Sequence, residues 1–225
     1  PIYGLFAMPD GVGCAVHAGA KLYFRAPDGT QTELCADMNE AFSQSFTMKG
    51  VLYLMDGKTY RAVRKSSKNT AWEAVSVSGT AYVPTTTISA APTGGGTSYE
   101  AVNLLTPKRI NTFIGDGTAT QFKVDATDLD ETAVTAEVNG SAVTVSAVNR
   151  STGLVTLAAA PANGNGLANV SIAFAKTVSG HADKINKCRF AGLYGGKNDT
   201  RVFLSGNPDE PDCDWQSGLY DPTYF

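Results

Sequence analysis

Asp-Gly and Asn-Gly pairs punctuate this chain, at Asp28-Gly29, Asp56-Gly57, Asp116-Gly117, Asn139-Gly140 and Asn163-Gly164. Each supplies the positive-φ backbone that a tight hairpin demands. Between them run short segments rich in Val, Thr, Tyr and Phe: "GVLYLM", "KTYRAV", "TQFKVD", "AVTAEVN", "SAVTVSAV", "GLVTLAA", "ANVSIAFA" and "TRVFLSG". Several alternate apolar and polar residues, as half-buried antiparallel strands do. Only "CADMNEAFSQSF" hints at a helix, and a short one. The pattern predicts an all-β protein.

Composition divides the chain into zones. Residues 1–83 read as a propeller-like β-meander. Residues 84–110 read as a Pro/Thr/Gly-rich extended arm or linker, densest in "PTTTISAAPTGGGTSYE". Its prolines favour extended backbone, its three consecutive glycines remove stiffness, and a Thr/Ile run without its own core needs a neighbour to order it. Residues 111–176 form the cleanest unit, a small antiparallel β-sandwich. A hairpin around Asp116-Gly117, another around Asn139-Gly140 and two strands joined by a glycine-rich loop supply its six strands. Residues 177–225 return to the first architecture. "YGLFAM" (Tyr3 to Met8) echoes "AGLYGG" (Ala191 to Gly196), with "KGVLYLMDGKTY" between them, a short repeat of the kind propeller blades leave. The compact unit is thus an insertion, which a fold tolerates when the ends of the insert lie close together. The chain opens on Pro1 rather than Met and reads as a fragment that continues beyond Phe225.

With 225 residues, 43% of them hydrophobic, the chain can bury a real core. A net charge of −3 gives no hint of a nucleic-acid partner. The densest basic run, Arg61, Arg64, Lys65 and Lys68, has no interleaved aromatics to stack bases and reads as a solvated strand end. No apolar run is long enough to cross a membrane as a helix. Four widely separated cysteines (Cys14, Cys35, Cys188, Cys213) lack the close pairing of zinc ligands and read as free thiols.

Several motifs fail on their own chemistry. "GDGTAT" and "APTGGGT" lack the Lys-Ser/Thr of a phosphate-binding loop. "DATDLDE" resembles a calcium loop, yet counted from Asp128 the sixth position is Ala133 rather than Gly and the twelfth is Asn139 rather than Glu. His17 and His181 have no partners set by spacing, and Ser205 sits in no nucleophile elbow. These readings leave catalytic, cofactor and metal residues unassigned. In "SGNPDEPDCDW" the acids Asp209, Glu210, Asp212 and Asp214 could hold a metal. Pro208 and Pro211 limit their convergence, so a turn started at Asn207-Pro208, with Trp215 closing over the core, accounts better for the segment. The tail "SGLYDPTYF" turns at Asp221-Pro222, and its aromatics Tyr220, Tyr224 and Phe225 need another blade or another subunit to cover them.

"YVPTTTISAAPTGGGTSYEAVNLLTPKRINTFIGDGTATQF" and "RVFLSGNPDEPDCDWQSGLYDPTYF" resemble a group of bacteriophage structural proteins found in phages and prophages of gut bacteria. The resemblance runs from about Tyr3 to Phe225. By fold-level analogy the outer zones resemble the β-propeller proteins of the tail nozzle or head–tail stabilising ring in short-tailed phages. The insert is similar to small sandwich modules of phage tail proteins. This resemblance implies a non-enzymatic virion subunit without a cofactor, assembled in the host cytoplasm into a homo-oligomeric ring beside portal or adaptor, with at most passive contact with DNA in a channel. A ring needs two different patches on each subunit. Thr85, Thr86 and Ile88 of the arm, with Trp215, Tyr220, Tyr224 and Phe225 of the tail, are the candidate interface residues. The alternative is a host-surface glycan- or protein-binding module of a phage tail. Against glycan stacking in the insert, residues 111–176 contain Phe113, Phe122 and Phe174, which read as core, and neither Trp nor Tyr; Trp72 and Trp215 lie outside it.

Overall fold

The computed structural model describes residues 1–66, 71–196 and 199–225, so Lys68 of the basic run lies outside the described residues. The chain is all-β and divides into two compact units, Pro1–Ala81 with Gly180–Phe225, and Tyr82–Ser179. None of the described helices is long and apolar enough to cross a membrane.

In the first unit, β1 (Ile2–Ala7), β2 (Cys14–Ala18), β3 (Lys21–Arg25) and β4 (Gln31–Cys35) form an antiparallel meander in chain order. A second meander follows: β5 (Gln44–Met48), β6 (Val51–Met55), β7 (Tyr60–Lys65) and β8 (Trp72–Ser76). Both Asp-Gly pairs fall at hairpins as their chemistry requires, Asp28-Gly29 between β3 and β4, Asp56-Gly57 between β6 and β7. Met8, Ala15, Leu22, Met38, Leu52, Leu54 and Val63 from both meanders make one buried core.

The continuous apolar run of β6 is buried on both faces, as such runs are in covered sheets. Leu52 and Leu54 face that shared core, while Tyr53 stacks on Phe46 at 5.0 Å and packs beside Tyr60. The tail covers this aromatic side. Tyr60 Oη donates to the Pro222 carbonyl at 2.9 Å, and Phe225 meets Tyr60 edge-on at 6.3 Å. The aromatic tail therefore finds part of its cover on its own chain, while Tyr220, Tyr224 and Phe225 stay half-buried and Leu219 exposed.

The expected helix over "CADMNEAFSQSF" does not form. Asn39 is drawn to Asp56, its N–H donating to Oδ2 at 2.7 Å and its amide to the Asp56 carbonyl, while Ser43 N–H donates to the Tyr3 carbonyl.

In the second unit, β9 (Thr85–Ala90), β10 (Thr97–Ser98), β11 (Lys108–Phe113), β12 (Gln121–Lys123), β13 (Thr135–Val138), β14 (Ser141–Val143), β15 (Val145–Asn149), β16 (Leu154–Leu157) and β17 (Val170–Ala175) build two sheets. One has the order β10-β9-β11-β17-β13-β14, the other β12-β16-β15. Ala90, Phe113, Val170, Ile172 and Phe174 of the first meet Phe122, Val155 and Leu157 of the second in one core, with Phe113 and Phe122 edge-on at 5.4 Å.

Three sequence expectations need correction here. The arm at 84–110 is not a linker: three β-branched threonines enter β9, which pairs parallel with β11 inside the larger sheet, so the ladder is not purely antiparallel. The segments flanking Asp116-Gly117 are not a hairpin, and the glycine-rich loop joins two strands as expected but not strands of one sheet. β11 and β12 lie in different sheets, as do β16 and β17, so each connection crosses between layers. "SAVTVSAV" is two strands, because the chain changes sheet at Thr144, between β14 and β15. The Asn139-Gly140 hairpin does join β13 to β14, with φ of 51° and 76° at its two central residues.

The return segment carries α1 (His181–Asn186), whose apolar signal is the single buried Ile185, then a third sheet of β18 (Phe190–Tyr194), β19 (Arg201–Ser205) and β20 (Trp215–Gln216). The Ala191 N–H donates to Gln44 Oε1 at 3.0 Å and ties β18 to β5.

Glycines read as slack in the sequence are sterically required at one point. Gly96 has φ +92°, and a Cβ there would lie 2.7 Å from the Ile88 carbonyl and 2.9 Å from Ala90 Cα. Gly95 has φ +83° with open space around it. Gly95→Ala is expected to cost about 1 kcal/mol from backbone strain alone, and Gly96→Ala about 3 kcal/mol because backbone must also move. Urea unfolding of the two variants measures the difference; equal losses would refute the steric account.

Candidate functional site

The seven candidate interface residues fall into two places. Thr86 is buried and its hydroxyl donates to Asp125 Oδ2 at 2.6 Å; Thr85 N–H donates to Glu100 Oε2 at 2.6 Å; Ile88 pairs with Thr97 in the β9–β10 ladder. These three side chains belong to the larger sheet of the second unit. Trp215, Tyr220, Tyr224 and Phe225 are half-buried in the first unit, where Trp215 pairs with Leu204 and Tyr220 N–H donates to the Thr200 carbonyl.

Exposed apolar side chains of the first unit include Leu219 in the tail, Val12 and Phe42 in loops, and a group on two edge strands. β1 is an edge strand of the first meander and β18 an edge strand of the third sheet. Ile2 and Leu5 on β1 are 71% and 66% exposed; Phe190, Leu193 and Tyr194 on β18 are 54%, 47% and 76% exposed. The segments that echo each other in sequence, around Tyr3–Met8 and Ala191–Gly196, thus both supply sheet edges. Sheet edges with apolar side chains are templates for pairing with another chain, although the Ala191 N–H of β18 is already taken by Gln44 and the Tyr3 carbonyl of β1 by Ser43.

The second unit holds a polar cleft at one end of its core. Along β11 the inward positions are Arg109, Asn111 and Phe113, so the face turned to the other sheet runs from charged through amide to aromatic. Asn111 is buried; its Nδ2 donates to Thr86 Oγ1 and Asp125 Oδ2, both at 2.9 Å, and its Oδ1 accepts from the Asp125 N–H at 2.8 Å. The Thr87 hydroxyl adds a third bond to Asp125 Oδ2 at 2.8 Å. Successive threonines reach one carboxylate because the β9–β11 register slips between Thr85 and Thr87. The cleft beside this network has a volume of about 680 Å³ and is lined by Arg109, Lys123, Lys176, Asp125, Thr93 and Thr127 among others. Arg109 is 8% exposed, lies 5.9 Å over the Phe174 ring, and its Nε has no hydrogen-bond partner.

"DATDLDE" contributes to this architecture through hydrogen bonds rather than as a calcium cage. Asp125 binds the threonines and Asn111, while Asp130 accepts from the Thr177 N–H at 2.9 Å and hydroxyl at 2.7 Å. The terminal acidic loop clamps α1. Asp209 pairs with Lys187 at 2.6 Å, Glu210 with Lys184 at 3.3 Å, and buried Asn207 donates to the Asp183 and Lys184 carbonyls. Among the described residues no three His, Cys, Asp or Glu side chains converge as a metal site. The described cations of the basic run are engaged locally: Arg61 with Asp37, Arg64 with Glu73 at 3.0 Å, and Lys65 with Asp10 at 3.1 Å. The four cysteines are free, and burial next to Asp214 and Glu210 pushes the Cys188 thiol up to about 12.

His17 has a partner that spacing did not show. It is fully buried, its Nδ1 shares a hydrogen bond of 3.0 Å with the buried Ser43 hydroxyl, and its Nε2 has no hydrogen-bond partner. Both side chains are closed off from solvent, so the pair packs the interior rather than presenting a nucleophile. Sequence inspection missed Arg109, Lys123, Lys176 and Asp125 as a group. The one local signal was polar side chains at the inward positions of "RINTF".

No protein family, curated protein or solved structure matched the chain.

Two outcomes are expected. Desolvation holds the His17 imidazole below its ordinary range, outweighing the nearby Asp56 charge. The unfolded chain therefore takes up a proton that the folded state refuses, and stability falls as pH drops through about 6.5. Urea midpoints between pH 7.5 and 5.5 should fall for the native protein and flatten for His17→Gln; parallel curves would count against this origin. Asp125→Ala strands three buried or half-buried donors and should lose about 2–4 kcal/mol, against a smaller loss for Asp125→Asn, measured by the same unfolding.

Proposed function

We propose that this chain is a non-enzymatic virion structural protein of a bacteriophage, a tail or head–tail connector subunit that works by packing into a ring. The observation that carries this reading is the pair of sheet edges, β1 and β18, which expose Ile2, Leu5, Phe190, Leu193 and Tyr194. A ring requires two different patches on each subunit, and two separate apolar edges meet that requirement. Support also comes from the sequence likeness to phage structural proteins over "YVPTTTISAAPTGGGTSYE" and "DWQSGLYDPTYF". In this reading the two four-stranded meanders and the third sheet act as propeller-like blades, and the second unit is a module carried on them. Function is then geometric: a stiff β scaffold lines or seals the DNA exit path beside portal or adaptor, without reading the DNA. The edge strands add to the half-buried Trp215, Tyr220, Tyr224 and Phe225 of the tail as contact surface in this reading.

The deciding experiment is quantitative mass spectrometry of cross-linked, purified phage particles that encode this chain. A fixed ring's worth of copies per portal is expected, with cross-links from Lys21 or Lys187 to a like subunit or to portal. Absence from particles, or variable trace amounts, would overturn the proposal. A companion variant, Leu193→Glu with Tyr194→Glu, should lower ring assembly in native mass spectrometry while leaving the circular dichroism spectrum unchanged.

A further inference from the structure

We propose that the cleft in the second unit is a binding site for an oxyanion carried on a hydroxyl-bearing molecule, the chemistry of an acidic sugar or a sugar phosphate. Three cations, Arg109, Lys123 and Lys176, line the cleft against one carboxylate, Asp125. No carboxylate lies within ion-pair distance of any of the three among the described residues. Lys123 Nζ donates to the Thr152 carbonyl, and Lys176 Nζ to the Asp128 carbonyl at 2.9 Å. Both bonds fix the ammonium groups at the rim without neutralising them.

Arg109 is the decisive group. A guanidinium that is 8% exposed, with one terminal nitrogen 3.4 Å from the Lys176 carbonyl and the Phe174 ring beneath it, carries a charge with no carboxylate partner, and an Nε with no hydrogen-bond partner, among the described residues. Burying such a charge is costly unless it is paired, and its fork geometry suits carboxylate or phosphate. β11 delivers it there because the inward alternation that places Phe113 in the core places Arg109 two pairs further along the same face.

The rest of the lining suits hydroxyl groups. Asp125 lines the cleft, and its Oδ2 takes the bonds from Thr86, Thr87 and Asn111 while Oδ1 takes none of these, which leaves it an acceptor for a ligand hydroxyl in this proposal. Thr93 and Thr127 add hydroxyls at the wall. At about 680 Å³ the cleft takes a ligand of monosaccharide size or larger. Recognition here rests on charge and hydrogen bonds, so the lack of Trp and Tyr in residues 111–176 does not oppose it. The inference stands apart from the ring reading, since the cleft lies wholly within the second unit.

The test is isothermal titration of the 225-residue protein with D-glucuronate, glucose 6-phosphate and neutral glucose at constant ionic strength. Saturable binding of one or both anions is expected, with glucose at least about tenfold weaker. Glucuronate alone, the phosphate ester alone, or both would identify the oxyanion source. Arg109→Gln should weaken binding at least about tenfold with an unchanged circular dichroism spectrum. If that variant does not fold, Lys176→Gln, at the rim, should weaken it about threefold or more. No saturation by either anion up to about 10 mM, glucose binding as tightly as the anions, or an undiminished affinity in a folded variant would overturn the proposal.

Discussion

One carboxylate organises the second unit. Asp125 gathers Thr86, Thr87 and Asn111 onto a single oxygen, and without that hub the buried hydroxyls of β9 and the Asn111 amide of β11 would lose that partner. The same bonds hold the β9–β11 register slip, and the slip places two successive threonines toward the same group. Arg109 lies on the inward face just beyond this network, so the core ends in a polar cleft rather than a closed apolar rim. Hub, register slip and cleft are consequences of one set of hydrogen bonds.

The first unit depends on a different constraint, the burial of β6 on both sides. Leu52 and Leu54 require the first meander on one face; Tyr53, with Phe46 and Tyr60, requires an aromatic cover on the other. Phe225 and Pro222 supply part of that cover from the far end of the sequence. The inner sheet is thereby shielded, and Ile2, Leu5, Phe190, Leu193 and Tyr194 are left exposed on the edges β1 and β18, with Val12, Phe42 and Leu219 exposed in connecting segments. Those edges, beside the half-buried aromatic tail, are where the ring reading finds its contacts.

Class and punctuation were legible because they are local. Asp28-Gly29, Asp56-Gly57 and Asn139-Gly140 sit at hairpins since the φ > 0 requirement is met by the residues themselves. The failures share a cause. Asp116-Gly117 makes a turn of the same chemistry, with the Asp116 carboxylate accepting from Thr118 and Ala119, yet the strands it joins go to different sheets. A turn fixes the local bend and says nothing about which partner the next strand finds. Residues 84–110 looked like an arm because their ordering neighbours, β11 and Asp125, are distant in sequence.

The sequence by itself determined the all-β class, most strand positions and the hairpin chemistry, since alternation and turn residues act over a few positions; it began the compact unit at residue 111, whereas that unit runs from Tyr82 to Ser179. Tertiary structure alone decided the pairing of β9 with β11, the sheet change at Thr144, the covering of Tyr60 by Phe225 and the meeting of Arg109 with Lys123 and Lys176. These outcomes depend on the burial and hydrogen-bond needs of groups tens of residues apart, which become definite only when the whole core has closed around them.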